Sequence, residues 1–182
     1  MVLVYSETVS PRLRYAFDIL FRNILRLDVG YTDNLEDFIS ADHSKINYSN
    51  TALENIPQIK PSDIIFESGI QNQAVEVGQW DDIPVLFPKA GSDPFPLDPA
   101  AMVFYLVSRY EEYIPGPRDL HGRFVPEMSI AYQHGFLERP LIDMLASRVK
   151  DYLKERYPGL HLPEKSYEFK PTVDIDQAFA HK

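Results

Sequence analysis

Two stretches of the chain gather residue types that do chemistry. The first, Ser108 to Phe124 (SRYEEYIPGPRDLHGRF), holds Arg109, Glu111, Glu112, Arg118, Asp119, His121 and Arg123 around a Pro115-Gly116-Pro117 turn. A helix end followed by such a turn could draw these charges around a small polar ligand such as a sugar or a phosphate. The same residues could equally form a salt-bridge and loop-capping network. The second stretch is Thr172-Val173-Asp174-Ile175-Asp176. On a strand, residues i and i+2 point to one side, so Asp174 and Asp176 share a face. Paired carboxylates there suit a divalent cation and a general base, and they suit a solvated strand end as well.

Other chemistries are excluded by what the sequence lacks. There is no Cys, which removes thiol catalysis, disulfides, iron–sulfur clusters and thiolate zinc sites. None of His43, His121, His134, His161 and His181 makes an i, i+4 pair that would set two imidazoles on one helix face around a metal. No G-x-S-x-G, P-loop or G-x-G-x-x-G motif occurs. The formal charge of −9 repels phosphate backbones, so nucleic acid is not an expected partner. The N-terminus has no basic segment leading into an apolar one, and no apolar run is long enough to cross a membrane. No membrane partner and a cytoplasmic location are therefore expected.

The elements that must position these residues read as α/β. Met1–Tyr5 is a buried strand, followed by Ser10-Pro11, a helix cap with a first-turn proline. Leu13, Ala16, Phe17, Leu20, Phe21 and Ile24 then form the apolar stripe of a helix from Pro11 to Leu25. A strand within Leu25–Tyr31 would complete a β-α-β opening. Further strands are expected at Lys45–Tyr48, Asp63–Phe66, Ala74–Val77 and Pro84–Phe87, and at Ser166–Ile175, broken by Pro171, with a loop at Pro57–Pro61. Asp98-Pro99 starts a second helix running to Ile114, apolar all round in its first two turns. A third helix spans Pro140–Tyr157, with Tyr157-Pro158-Gly159 ending it. The expected architecture is a mixed central sheet flanked by at least three helices, in three layers.

The run from Leu97 to Phe124 (LDPAAMVFYLVSRYEEYIPGPRDLHGRF), then FLERPLIDML, then FKPTVDIDQAFAHK, resembles a group of bacterial polysaccharide deacetylase-family proteins. In these an N-terminal domain of unassigned role leads into a catalytic domain. The resemblance covers Leu97 to Lys182. It rests on Ser108 to Tyr113, Arg118, Asp119, His121 to Phe124, Arg139-Pro140 and Thr172 to Asp176, in that order and spacing. It implies that Asp174 is the general base of the catalytic domain. It implies that Asp176 is a ligand of a divalent metal, zinc or similar, which polarises the acetyl carbonyl. The family completes its metal site with an H-x-x-x-H motif farther along, which none of the five His supplies. The resemblance therefore implies an accessory domain over residues 1–168 and the start of a catalytic domain over 169–182. The chain alone is expected to be inactive and to hold no cofactor. Its expected partners are the deacetylase domain in cis and a glycan. The alternative is a stand-alone carbohydrate- or partner-binding module using the Arg109–Arg123 cluster.

Overall fold

A computed structural model describes residues 1–92, 94–164 and 167–174. Its centre is a four-stranded parallel sheet built from β1 (Val2–Tyr5), β2 (Val29–Thr32), β3 (Ser44–Tyr48) and β4 (Gln58–Ile59), in the order β2-β1-β3-β4. Val2 pairs with both Val29 and Ser44, so β1 is internal and its apolar run is covered on both faces. Successive residues of β1 serve opposite faces. Val2 and Val4 join the main core, whereas the Tyr5 ring meets Phe38 of α2 (Leu35–Ser40) at 5.3 Å. Helices α1 (Pro11–Phe17), α3 (Pro99–Val107) and α5 (Leu141–Arg156) bury their apolar residues in that same main core. A second, antiparallel sheet pairs β5 (Val77–Trp80) with β6 (Ile83–Leu86). The fold is thus α/β with both kinds of strand pairing, and the parallel and antiparallel pairs occupy separate sheets.

The Ser10 and Asp98 caps are made as the sequence indicates: Ser10 Oγ accepts from Leu13 N–H, and Asp98 Oδ1 from Ala100 and Ala101 N–H. The helix from Pro11 changes register at Asp18, where Asp18–Ile24 is a π-helix. The wider turn moves the buried stripe along by one, so Leu25 is buried and Ile24 only partly.

Several expected elements differ. Asp63–Ile65 is a 3₁₀ turn instead of a strand. Ile64 and Ile65 are both buried, which a strand covered on one face would not allow, and their carbonyls accept from Arg12 and Ser10. The expected strand Ala74–Val77 begins only at Val77. Gly78 there lies so close to Pro88 that a Cβ would meet its ring at 3.0 Å. The expected loop Pro57–Pro61 contains β4. The helix expected to reach Ile114 stops at Val107; Arg109 takes a left-handed conformation (φ 54°) and Tyr110–Tyr113 continues as a 3₁₀ turn. The expected strand Ser166–Ile175 is absent over residues 167–174, where no neighbouring strand supplies a ladder. α2 and α4 (Ile130–Gln133) were not expected; their caps are Asn34, which accepts from Glu36 and Asp37 N–H, and Ser129.

Candidate functional site

The Arg109–Arg123 cluster divides into two parts. Arg109 pairs with Glu112, and Arg123 pairs with Asp119 at 2.8 Å. Both arginine side chains are more than 70% exposed, so these pairs contribute little stability. Asp119 Oδ1 also accepts from the backbone N–H of His121 and Arg123, folding the loop on itself. Those N–H groups and the Arg123 guanidinium hold the Asp119 pKa below the ordinary carboxylate value. His121 is exposed. These residues shape a loop.

Glu111 and Arg118 do something else. Both line a cavity of about 300 Å³, together with Gln73, Tyr105, Phe124 and His134. Glu111 is half-buried; its Oε2 accepts from the Ile130 N–H at 3.0 Å, and the Tyr105 hydroxyl donates to its carboxylate. Burial raises the Glu111 pKa, against the lowering effect of those two donors. Burial likewise raises the Tyr105 pKa, and the neighbouring Glu111 charge adds to it. Arg118 Nη2 donates to the carbonyls of Glu112 (2.6 Å) and Ile114 (3.3 Å), and its guanidinium sits 5.5 Å from the centre of the Phe124 ring.

The left-handed Arg109 makes this arrangement possible. It follows the end of α3, and the 3₁₀ turn after it carries Glu111 within hydrogen-bond reach of the Tyr105 hydroxyl. Tyr110 anchors the same bend: its hydroxyl accepts from the Gln71 N–H at 2.9 Å and donates to the Gln71 carbonyl at 3.2 Å. That bond draws the loop carrying Gln73 to the rim. Tyr105, Gln73 and His134 were not indicated as site residues by the sequence, whereas Phe124 closes the charged stretch singled out there. Tyr105 sits in an apolar helix face, and Gln73 and His134 are isolated polar residues outside the helices. Only the fold brings positions 73, 105, 111, 118, 124 and 134 together.

Asp174 is exposed, and Asp176 lies outside the described residues. Among the described residues no group of three or more His, Asp or Glu could hold a metal ion. Among the described residues, no helix is long and apolar enough to cross a membrane.

Fold and cavity together define an α/β domain with a polar, aromatic-walled cavity beside the end of its third helix. The chain belongs to DUF7033, a family of unknown function, whose model matches residues 2–158. No curated protein and no solved structure matches it.

Proposed function

We propose that residues 1–168 are the non-catalytic N-terminal accessory domain of a cytoplasmic, metal-dependent carbohydrate deacetylase. Residues 169–182 open the catalytic domain, its partner in cis. The parent protein hydrolyses N- or O-acetyl groups on a glycan. Asp174 is its general base and Asp176 one ligand of a divalent metal, zinc or similar.

The observation that carries this reading is the surface of residues 167–174. Tyr167, Phe169 and Val173 are 90%, 74% and 82% exposed. Together with Pro171, which interrupts the run, they alternate with Glu168, Lys170, Thr172 and Asp174, the period of a strand with one buried face. Residues 167–174 form no strand here, and that apolar face would be buried if the segment joined a sheet. The proposed catalytic domain supplies one, with Asp174 on the opposite, polar side.

The test is acetate release from an acetylated chito-oligosaccharide by the native gene product, with zinc, cobalt or nickel added. Release that disappears in Asp174→Asn and persists in Arg123→Ala supports the reading. No release by the native product, or release by residues 1–164 alone, overturns it.

A further inference from the structure

The cavity beside Glu111 has a property that a loop-stabilising network would not have. A carboxylate and a guanidinium line the same space, yet neither Glu111 nor Arg118 forms an ion pair among the described residues. Each is held by other groups: Glu111 by the Ile130 N–H and the Tyr105 hydroxyl, Arg118 by the Glu112 and Ile114 carbonyls. Glu111 is half-buried and Arg118 is exposed, and long side chains of opposite charge left to themselves tend to close on each other. Here one backbone N–H and the Tyr105 hydroxyl hold Glu111, two backbone carbonyls hold Arg118, and the rest of their hydrogen-bonding capacity is left to the cavity. A carboxylate offers about four acceptor positions and a guanidinium five donors, so capacity remains on both.

A ligand spanning them must donate to Glu111 and accept from Arg118. A phosphate or sulfate has no donor for the carboxylate and meets a repelling charge there. A simple cation meets the guanidinium. A polyhydroxylated ring satisfies both walls, because each hydroxyl is donor and acceptor at once. The remaining lining fits that choice. Gln73, Gln133 and His134 add side chains that both donate and accept, and Phe124, Ile114 and Ile130 give an apolar surface for the C–H face of a ring. The volume, about 300 Å³, lies at the lower limit of small-molecule sites.

We infer that the cavity between Glu111 and Arg118 is a binding site for one uncharged sugar ring, with Glu111 accepting from its hydroxyls and Arg118 donating to them. This narrows the binding-module alternative to one cavity and one ligand class. It stands on the cavity alone and does not need the deacetylase reading.

The experiment is a ¹H–¹⁵N NMR titration of the 182-residue chain with methyl β-D-glucopyranoside, methyl β-D-galactopyranoside and N-acetylglucosamine, and with inorganic phosphate and glycine as charged counter-probes. The expected result is saturable shifts of the Glu111, Phe124 and Ile130 amides with at least one sugar. Removing a hydrogen bond to a charged group is expected to weaken binding about tenfold or more in Glu111→Gln and in Arg118→Ala. Glu111→Gln keeps an acceptor for the Ile130 N–H, so its fold is retained. Arg123→Ala, outside the cavity, is expected to bind as wild type. No shift with any sugar overturns the inference. So does a response to phosphate or glycine alone, or unchanged sugar affinity in both cavity variants. None of these outcomes depends on acetate release by the native product.

Discussion

The two ends of α3 carry carboxylates used in opposite ways. Asp98, at its N-terminus, is fully buried and saturated. It accepts from the Ala100 and Ala101 N–H, from the Ser62 N–H at 2.7 Å and from the Tyr48 hydroxyl at 2.8 Å. Tyr48 is the last residue of β3, so this contact fastens the carboxyl end of the sheet to α3. Open α/β sheets commonly take ligands outside that end, where strand order reverses. Here, beside the reversal between β1 and β3, the Asp63–Ile65 turn is stitched down by Ser10, Arg12 and Asp98. Glu111, just past the other end of α3, has fewer partners and faces a cavity. A carboxylate with every oxygen satisfied organises a fold; one held by part of its capacity remains open to something else.

The contrast breaks most sharply at Asp98. Asp98→Ala removes a helix cap and strands buried donors at Ser62 and Tyr48. The expected cost is about 3–5 kcal/mol, read as a lower urea midpoint at unchanged slope. A cost below about 1 kcal/mol would show that Asp98 does not hold that end closed. Tyr48→Phe removes one donor and leaves three; it is expected to cost about 1–2 kcal/mol in the same measurement.

Changes at the other end are expected to be smaller. Arg109→Gly relieves a left-handed residue and loses only an exposed pair, so stability should stay level or rise by up to about 1 kcal/mol. A loss of several kcal/mol would mean that the Arg109–Glu112 pair is structural. The smallest effect is in pH dependence. Burial raises the folded pKa of Glu111 above its unfolded value, so the folded state binds more protons between the two. Its contribution is present below the ordinary glutamate pKa and is lost as pH rises through the raised value. Glu111→Gln should remove that downward slope, measured as the difference in urea midpoint from wild type between about pH 4 and pH 7. A difference that is flat with pH would place Glu111 in water.

The parallel half of the fold was legible because each piece carried a local signal. Met1–Tyr5 and Lys45–Tyr48 are compact β-branched and aromatic runs, and Ser10-Pro11 and Asp98-Pro99 combine a cap with a first-turn proline. The errors fell where distant residues decide the backbone. Ile64 and Ile65 read as a strand, but Ser10 and Arg12 bend their carbonyls into a turn. The helix to Ile114 looked continuous because nothing in Ser108-Arg109 announces a left-handed residue; in place of the usual glycine stands an arginine. The site was half legible for the same reason. Glu111 and Arg118 stood out in a charged run, whereas Tyr105 was hidden in an apolar helix and Gln73 arrives on a loop that Tyr110 holds at Gln71.

The difference between the two carboxylates is open to direct measurement by side-chain ¹³C NMR across a pH titration, with and without a saturating sugar from the probes above. The account predicts that Glu111 titrates above the exposed glutamates, and that the sugar moves both its carboxyl shift and its midpoint. The Asp98 carboxyl should not respond to the sugar. A Glu111 signal that titrates with the exposed glutamates and ignores every sugar would contradict it.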